Sequence, residues 1–190
     1  MRLTDYLNPD KTLFSFEVLP PLKGKSIESL YNAIDPLMEF KPAFVDVTYH
    51  REEYIERPRQ GGGYDKISTK KRPGTVAICA AIMNKYQVEA VPHLICGGFN
   101  KDETENALID LAFLGIENVL ALRGDNLRDE RHFTPEINGN ANSLELIRQV
   151  VDMNNGIYQD QELQNATETN FCIGVAGYPE KHIDAPNMDS

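Results

Sequence analysis

Short apolar runs rich in β-branched and aromatic residues recur along the chain, and each is followed by a stretch in which apolar positions return every three or four residues. Residues 12–19 (TLFSFEVL), 44–49 (FVDVTY), 88–96 (VEAVPHLIC), 118–122 (NVLAL) and 171–176 (FCIGVA) have the length and composition of strands. Between them, Ile27, Leu30, Tyr31, Ile34, Leu37 and Met38 fall on one helical stripe, with Ser26 as its expected N-cap. Val76, Cys79, Ile82 and Met83 make a second stripe. Leu108, Leu111, Ala112 and Leu114 make a third, opened by Asp102 and Glu103, whose charge suits the N-terminal end of a helix dipole, and closed by Gly115. Leu144, Ile147, Val150 and Val151 make a fourth, capped by Asn142 or Ser143. Residues 52–72, which contain Gly61-Gly62-Gly63 and Arg72-Pro73-Gly74, and the polar residues 154–170 read as long loops.

Strict alternation of strand and helix predicts an α/β fold with parallel strands and right-handed crossovers, in one domain spanning residues 1–190. An open doubly wound sheet and a closed βα-barrel both satisfy the order. The polar positions favour the barrel: Glu17, Thr48, His93, Asp125 and Tyr178 lie in or just past the C-terminal ends of successive strands, and in a barrel those ends converge on one mouth. A barrel has eight strands, and five are visible.

Composition narrows the function classes. The net charge of −10 rests mostly on residues 91–190, which carry 6 basic and 17 acidic side chains, so a nucleic-acid partner is not expected. Arg51, Arg57, Arg59, Lys66, Lys70, Lys71 and Arg72 cluster in the first loop, as a solvated segment or as a contact for phosphate. No run approaches the ~20 apolar residues of a membrane span, and the first residues lack the apolar core of a secretory signal, so a cytoplasmic protein is expected. Cys79, Cys96 and Cys172 are scattered and odd in number, which predicts free thiols and neither a disulfide framework nor a zinc site.

Glu17 is the first candidate for chemistry. An apolar strand ending in Pro20-Pro21 makes an ionised carboxylate costly, and such surroundings suit a group that keeps a proton as a general acid does; a glutamate paired with a buried base is the alternative. Asp125 follows a strand directly in Leu122-Arg123-Gly124-Asp125, where Gly124 permits close backbone approach. His93 sits inside an apolar strand, as a core histidine or a ligand contact. Tyr178 could stack on a planar ring. His50, His93 and His182 lie near strand ends without the spacing of a metal site, so no metal is expected. Neither GxGxxG after the first strand nor GxxxxGK[ST] is present.

The ordered segments SFEVLPP, FVDVTYH, EAVPHLIC, VLALRGD and VAGYPEKH, together with Lys71-Arg72-Pro73-Gly74-Thr75, resemble the methylenetetrahydrofolate reductase family through nearly the whole chain. The resemblance implies a (β/α)8 TIM barrel, of which this chain holds about the first five βα units and lacks the last three strands. It also implies noncovalent FAD, a hydride from NADH or NADPH, and reduction of 5,10-methylenetetrahydrofolate to 5-methyltetrahydrofolate by an enzyme that is a homo-oligomer. Glu17 would be the general acid and Asp125 a second catalytic residue beside the flavin and the pterin. Thr48, Tyr49, His93, Leu122, Arg123, Gly124, Ala141, Tyr178, His182 and Ala185, with Asp125, match positions that line the cofactor. Two segments depart from the family pattern: Phe16-Glu17-Val18-Leu19-Pro20-Pro21 has a changed apolar wall around the acid, and Asn140-Ala141-Asn142-Ser143-Leu144 stands where many members have Tyr-Ala-Ser-Asp-Leu. A non-catalytic, flavin-binding or structural half-barrel completed by another chain is the rival expectation.

Overall fold

The computed structural model describes residues 1–8, 10–127, 130–181 and 186–187. Five strands form one parallel sheet: β1 (Ser15–Val18), β2 (Phe44–Val47), β5 (Glu89–Ile95), β6 (Asn118–Leu122) and β7 (Cys172–Val175). Their order across the sheet is β1-β2-β5-β6-β7, so each strand of this sheet lies beside the one before it in sequence. A doubly wound sheet reverses strand order at a switch point; none occurs among the described residues.

The helices α1 (Glu28–Ile34), α2 (Thr75–Tyr86), α3 (Lys101–Phe113) and α4 (Ser143–Asn154) supply one continuous core. Leu30, Ile34, Ile78, Cys79, Ile82, Leu108, Leu111, Leu146, Val150 and Met153 pack in it against Val18, Val45, Val47, Ala90, Leu94, Val119 and Ala121. Side chains alternate across a strand, so Glu17, Asp46, Thr48, Val91, His93, Ile95, Leu120 and Leu122 face the other side. Val91 and Ile95 are buried yet stand outside that helical cluster. One face covered by helices and a second face lined by its own side chains is the layering of a barrel wall, and this α/β arc is consistent with the barrel expected from the polar strand ends. Among the described residues, β1 and β7 are each paired on one side only.

Local chemistry explains the helix ends. Asn100 caps α3 and Glu103 reaches back to its amide, a reciprocal pair worth about 1 kcal/mol. Gly115, at φ +73°, ends it as expected. Asn142 rather than Ser143 caps α4, accepting from the amide of Glu145 at 3.0 Å. Ser26 does not cap α1 with its side chain; its carbonyl accepts from the Ser29 amide, and the N-cap position falls one residue later, on Ile27. Pro36 then turns the rest of that stripe into a 3-10 helix over Asp35–Phe40.

Residues 52–72 are not a loop. They form an antiparallel hairpin of β3 (Glu53–Pro58) and β4 (Tyr64–Lys70), separate from the main sheet. Gly61, Gly62 and Gly63 all take positive φ in the turn. Cross-strand pairs hold it: Ile55 opposite Ile67, Glu56 opposite Lys66, and Arg57 opposite Asp65. Lys66 lies over the Tyr54 ring at 4.3 Å, and Arg59 pairs with Asp65. The basic cluster is therefore carried largely by a ribbon. All three cysteines are free; Cys79 and Cys96 are buried, and burial pushes the Cys96 thiol up to about 11.

At the N-terminal edge of the sheet, buried Asn118 accepts from the Leu3 amide at 2.7 Å and donates to the Met1 carbonyl at 2.8 Å. This clasp lies at the end of the strands opposite the expected site, where it serves stability rather than chemistry.

Candidate active site

The C-terminal ends of the five parallel strands surround an open cleft of about 1160 Å³. Glu17, Thr48, His93, Asp125 and Tyr178 all line it, as do Tyr49, Leu122, Arg123 and Gly124. Strand register explains why. Glu17 of β1 stands opposite Asp46 of β2, and Asp46 opposite Val91 of β5. Two residues further along β5, His93 stands opposite Leu120, and Leu120 opposite Gly174. Thr48 is fixed at its strand end by Val18, whose carbonyl accepts from its amide at 3.1 Å and from its hydroxyl at 3.3 Å.

His93 is 6% exposed. Its Nε2 lies 3.7 Å from Glu17 Oε2, beyond a hydrogen bond, and has no hydrogen-bond partner among the described residues. Burial holds the imidazole below its ordinary pKa; Glu17 opposes that shift and His50 adds to it. At neutral pH His93 is therefore neutral. Glu17 departs from expectation: its side chain is 62% exposed rather than enclosed by apolar neighbours. It stands on β1, whose outer side is unpaired among the described residues, so solvent reaches it across the open arc.

Gly124 turns the chain at φ +86°, and a Cβ there would meet Ile95 Cβ at 3.1 Å. The turn after β6 thus requires glycine for its conformation and for its seat on a buried strand. Gly124→Ala is expected to destabilise the protein by about 1–2 kcal/mol in a denaturant titration and to weaken any ligand held by the adjoining Arg123 and Asp125.

Sequence reasoning took Arg51 only as one member of a basic cluster and passed over Asp46. Arg51 lies in the cleft and reaches across to the segment after β6, pairing with Glu130 at 3.1 Å and Glu136 at 3.5 Å. Its side chain packs where a Cβ on Gly97 would be, 2.8 Å from Arg51 Cδ. Phe133 of that segment lies 5.7 Å from the Arg123 guanidinium. The Arg51 ion pairs join residues 79 and 85 positions apart, and nothing in the local pattern announces them. Asp46 carried a visible signal, a carboxylate inside an apolar strand, the same that drew attention to Glu17.

Ala141 lies beside the cleft rather than in its lining; its amide donates to Glu145 at 2.8 Å, while the following Asn142, Ser143 and Leu144 line the cleft. Neighbouring Asn140 is buried and donates to Gln149 at 2.7 Å, which donates in turn to the Lys101 carbonyl. Through Gln149 this side chain ties the segment before α4 to the start of α3. His182 and Ala185 lie outside the described residues. No group of three potential metal-binding side chains converges, and no helix is long and apolar enough to cross a membrane, among the described residues.

Residues 2–190 match the methylenetetrahydrofolate reductase family. The chain is 30% identical to "methylenetetrahydrofolate reductase 1" of Schizosaccharomyces pombe over its whole length, which covers 27% of that protein. It is 31% identical to "methylenetetrahydrofolate reductase (NADH) 1" of Arabidopsis thaliana over 94% of this chain and 25% of that one. It is 30% identical to "5,10-methylenetetrahydrofolate reductase" of Escherichia coli over 93% of this chain and 47% of that one. The chain thus spans about a quarter of the length of these eukaryotic relatives and about half that of the bacterial one. With a parallel arc that gathers the expected polar residues at one mouth and a match along almost every residue, this chain belongs to the methylenetetrahydrofolate reductase family.

Proposed function

We propose that this chain forms the first five βα units of a (β/α)8 barrel, within a cytoplasmic, homo-oligomeric oxidoreductase that reduces 5,10-methylenetetrahydrofolate to 5-methyltetrahydrofolate with NADH or NADPH. One observation carries the proposal: Glu17 and Asp125 come from strand ends at different places in the sheet and face the same cleft, with Thr48 and His93 between them.

The residues present suit FAD. The cleft, at about 1160 Å³, is slightly larger than the ~300–1,000 Å³ typical of small-ligand sites. Buried His93 Nε2 offers a polar atom with no protein partner among the described residues, and Gly124 lets backbone approach a ligand closely. Thr48, Tyr49, His93, Leu122, Arg123, Gly124 and Tyr178 would hold the cofactor, with Arg123 suited to its phosphates. When bound, FAD supplies the hydride-transfer chemistry that links nicotinamide to folate.

The chain's own groups do the rest. Glu17, at the mouth, delivers a proton as the five-membered ring of the folate opens to a cationic iminium. Asp125 places a negative charge where that cation develops and favours it. Neutral His93, fixed by its burial, orients what binds above it without adding a competing positive charge.

This predicts that the full-length protein is yellow and oxidises NADH or NADPH with menadione as acceptor. A colourless full-length protein without that activity would instead support the rival half-barrel with a structural role.

A further inference from the structure

Arg51 has no part in the chemistry described so far, yet it is tightly held. It lies between the end of β2 and the hairpin, and its side chain is only 12% exposed. A guanidinium so far from water needs compensating charge. Two carboxylates of the segment after β6 supply it through different nitrogens, Nη1 pairing with Glu130 and Nη2 with Glu136. The Glu130 oxygen that takes Nη1 also accepts from the Leu127 amide at 3.0 Å, so the same carboxylate closes the turn beyond β6.

The Arg51 stem occupies the space beside buried Gly97, where a Cβ would stand 2.8 Å from Arg51 Cδ and 3.3 Å from the Phe133 ring. Phe133 in turn makes a cation–π contact with the half-buried Arg123 guanidinium, and the Gly97 amide donates to the Arg123 carbonyl at 3.4 Å. Arg51, Gly97, Phe133 and Arg123 are thus one packed unit on the cleft wall. At its far end the segment is tied separately to α3, where the Lys101 amide donates to the Asn138 carbonyl at 3.0 Å.

We propose that Arg51 is a positioning residue for cofactor phosphate: by gripping Glu130 and Glu136 it seats Phe133 against Arg123 and keeps the two carboxylates from competing for that guanidinium. The proposal rests on the reading of Arg123 as the group that meets the phosphates of FAD. Paired with Arg51, the two glutamates present little net charge to the cleft. Without it, two negative charges would remain on the wall that carries Arg123, attracting its guanidinium and repelling phosphate. A lysine at this position restores the charge but offers a single nitrogen, which does not span two carboxylates as the planar fork does.

The test uses full-length protein stripped of flavin. It is titrated with FAD, and separately with riboflavin, which carries the same ring and no phosphate, and binding is read from flavin fluorescence. Arg51→Gln is expected to raise the Kd for FAD about tenfold, the scale of coupling between side chains in one network, and to leave that for riboflavin within about twofold. Arg51→Lys should recover only part of the loss. Gly97→Ala keeps every charge and displaces the Arg51 stem, so it should weaken FAD in the same sense and stands in for Arg51→Gln if that variant does not fold. In an Arg123→Gln background either change should add less than about twofold, because the group through which Arg51 acts is gone.

A full tenfold loss on top of Arg123→Gln, or equal losses for FAD and riboflavin, would mean that Arg51 only shapes the cleft and would overturn its role. Unchanged FAD affinity in both Arg51→Gln and Gly97→Ala would do the same. Ordinary FAD affinity in Arg123→Gln alone would instead overturn the assignment of Arg123 to the phosphates, and a full-length protein that takes up neither flavin would overturn the flavin reading; this proposal falls with either.

Discussion

Replacing Glu17 by Gln in the full-length protein is expected to lower folate reduction by about 10²–10⁴-fold, the range attributable to one positioned acid, while flavin reduction by NADH or NADPH stays within about twofold of normal. Hydride transfer from a nicotinamide requires no acid, whereas opening the folate ring requires a proton at its nitrogen. The amide is nearly isosteric and sits on the open side of β1, where the present side chain is 62% exposed and makes no close ion pair. Folding should therefore survive the change. Rapid mixing of each substrate with enzyme in the appropriate redox state measures the two steps separately. Equal loss in both would show that Glu17 shapes the site instead of serving as its acid.

The second large effect concerns residues 1–190 on their own. Along the β1 edge, Phe14 is 60% exposed and Leu19 47%, and at the far edge Val175 is 58% exposed. β1 and β7 each present an unpaired side among the described residues. Parallel strands are ordinarily paired on both sides and covered on both faces, and an open edge templates association. Each 100 Å² of apolar surface left uncovered forgoes about 2.5 kcal/mol, against a typical margin of ~5–15 kcal/mol for a domain. Purified 1–190 is therefore expected to associate in sedimentation or light scattering, to hold FAD weakly or not at all, and to show no folate turnover. A monomeric, yellow and active 190-residue protein would contradict the proposed need for further strands.

How far these conclusions were visible in the sequence varied with the range of the interactions involved. The five parallel strands were legible because β-branched runs flanked by helical stripes leave few alternatives. The hairpin was not, since Glu53-Tyr54-Ile55-Glu56-Arg57-Pro58 has no apolar face to bury and Gly61-Gly62-Gly63 suggests a loop. In hindsight, two runs flanking a glycine turn carry a hairpin signal. The gathering of Glu17, Thr48, His93, Asp125 and Tyr178 followed from their shared position at strand ends, which a parallel sheet converts into proximity. The solvent exposure of Glu17 could not be read in the same way, because it depends on what stands across from β1 and not on the strand itself. Arg51 bridging to Glu130 and Glu136 had no local signature at all, and the pairing of Asp46 with Glu17 needed the register of two strands.

The most direct measurement is the reoxidation of the reduced full-length enzyme by 5,10-methylenetetrahydrofolate under anaerobic conditions. Flavin absorbance bleached by NADH or NADPH should return on mixing, with one 5-methyltetrahydrofolate formed per flavin reoxidised. Reduced flavin that stays bleached in the presence of the folate, yet is reoxidised by menadione, would contradict the assignment of this cleft to folate reduction.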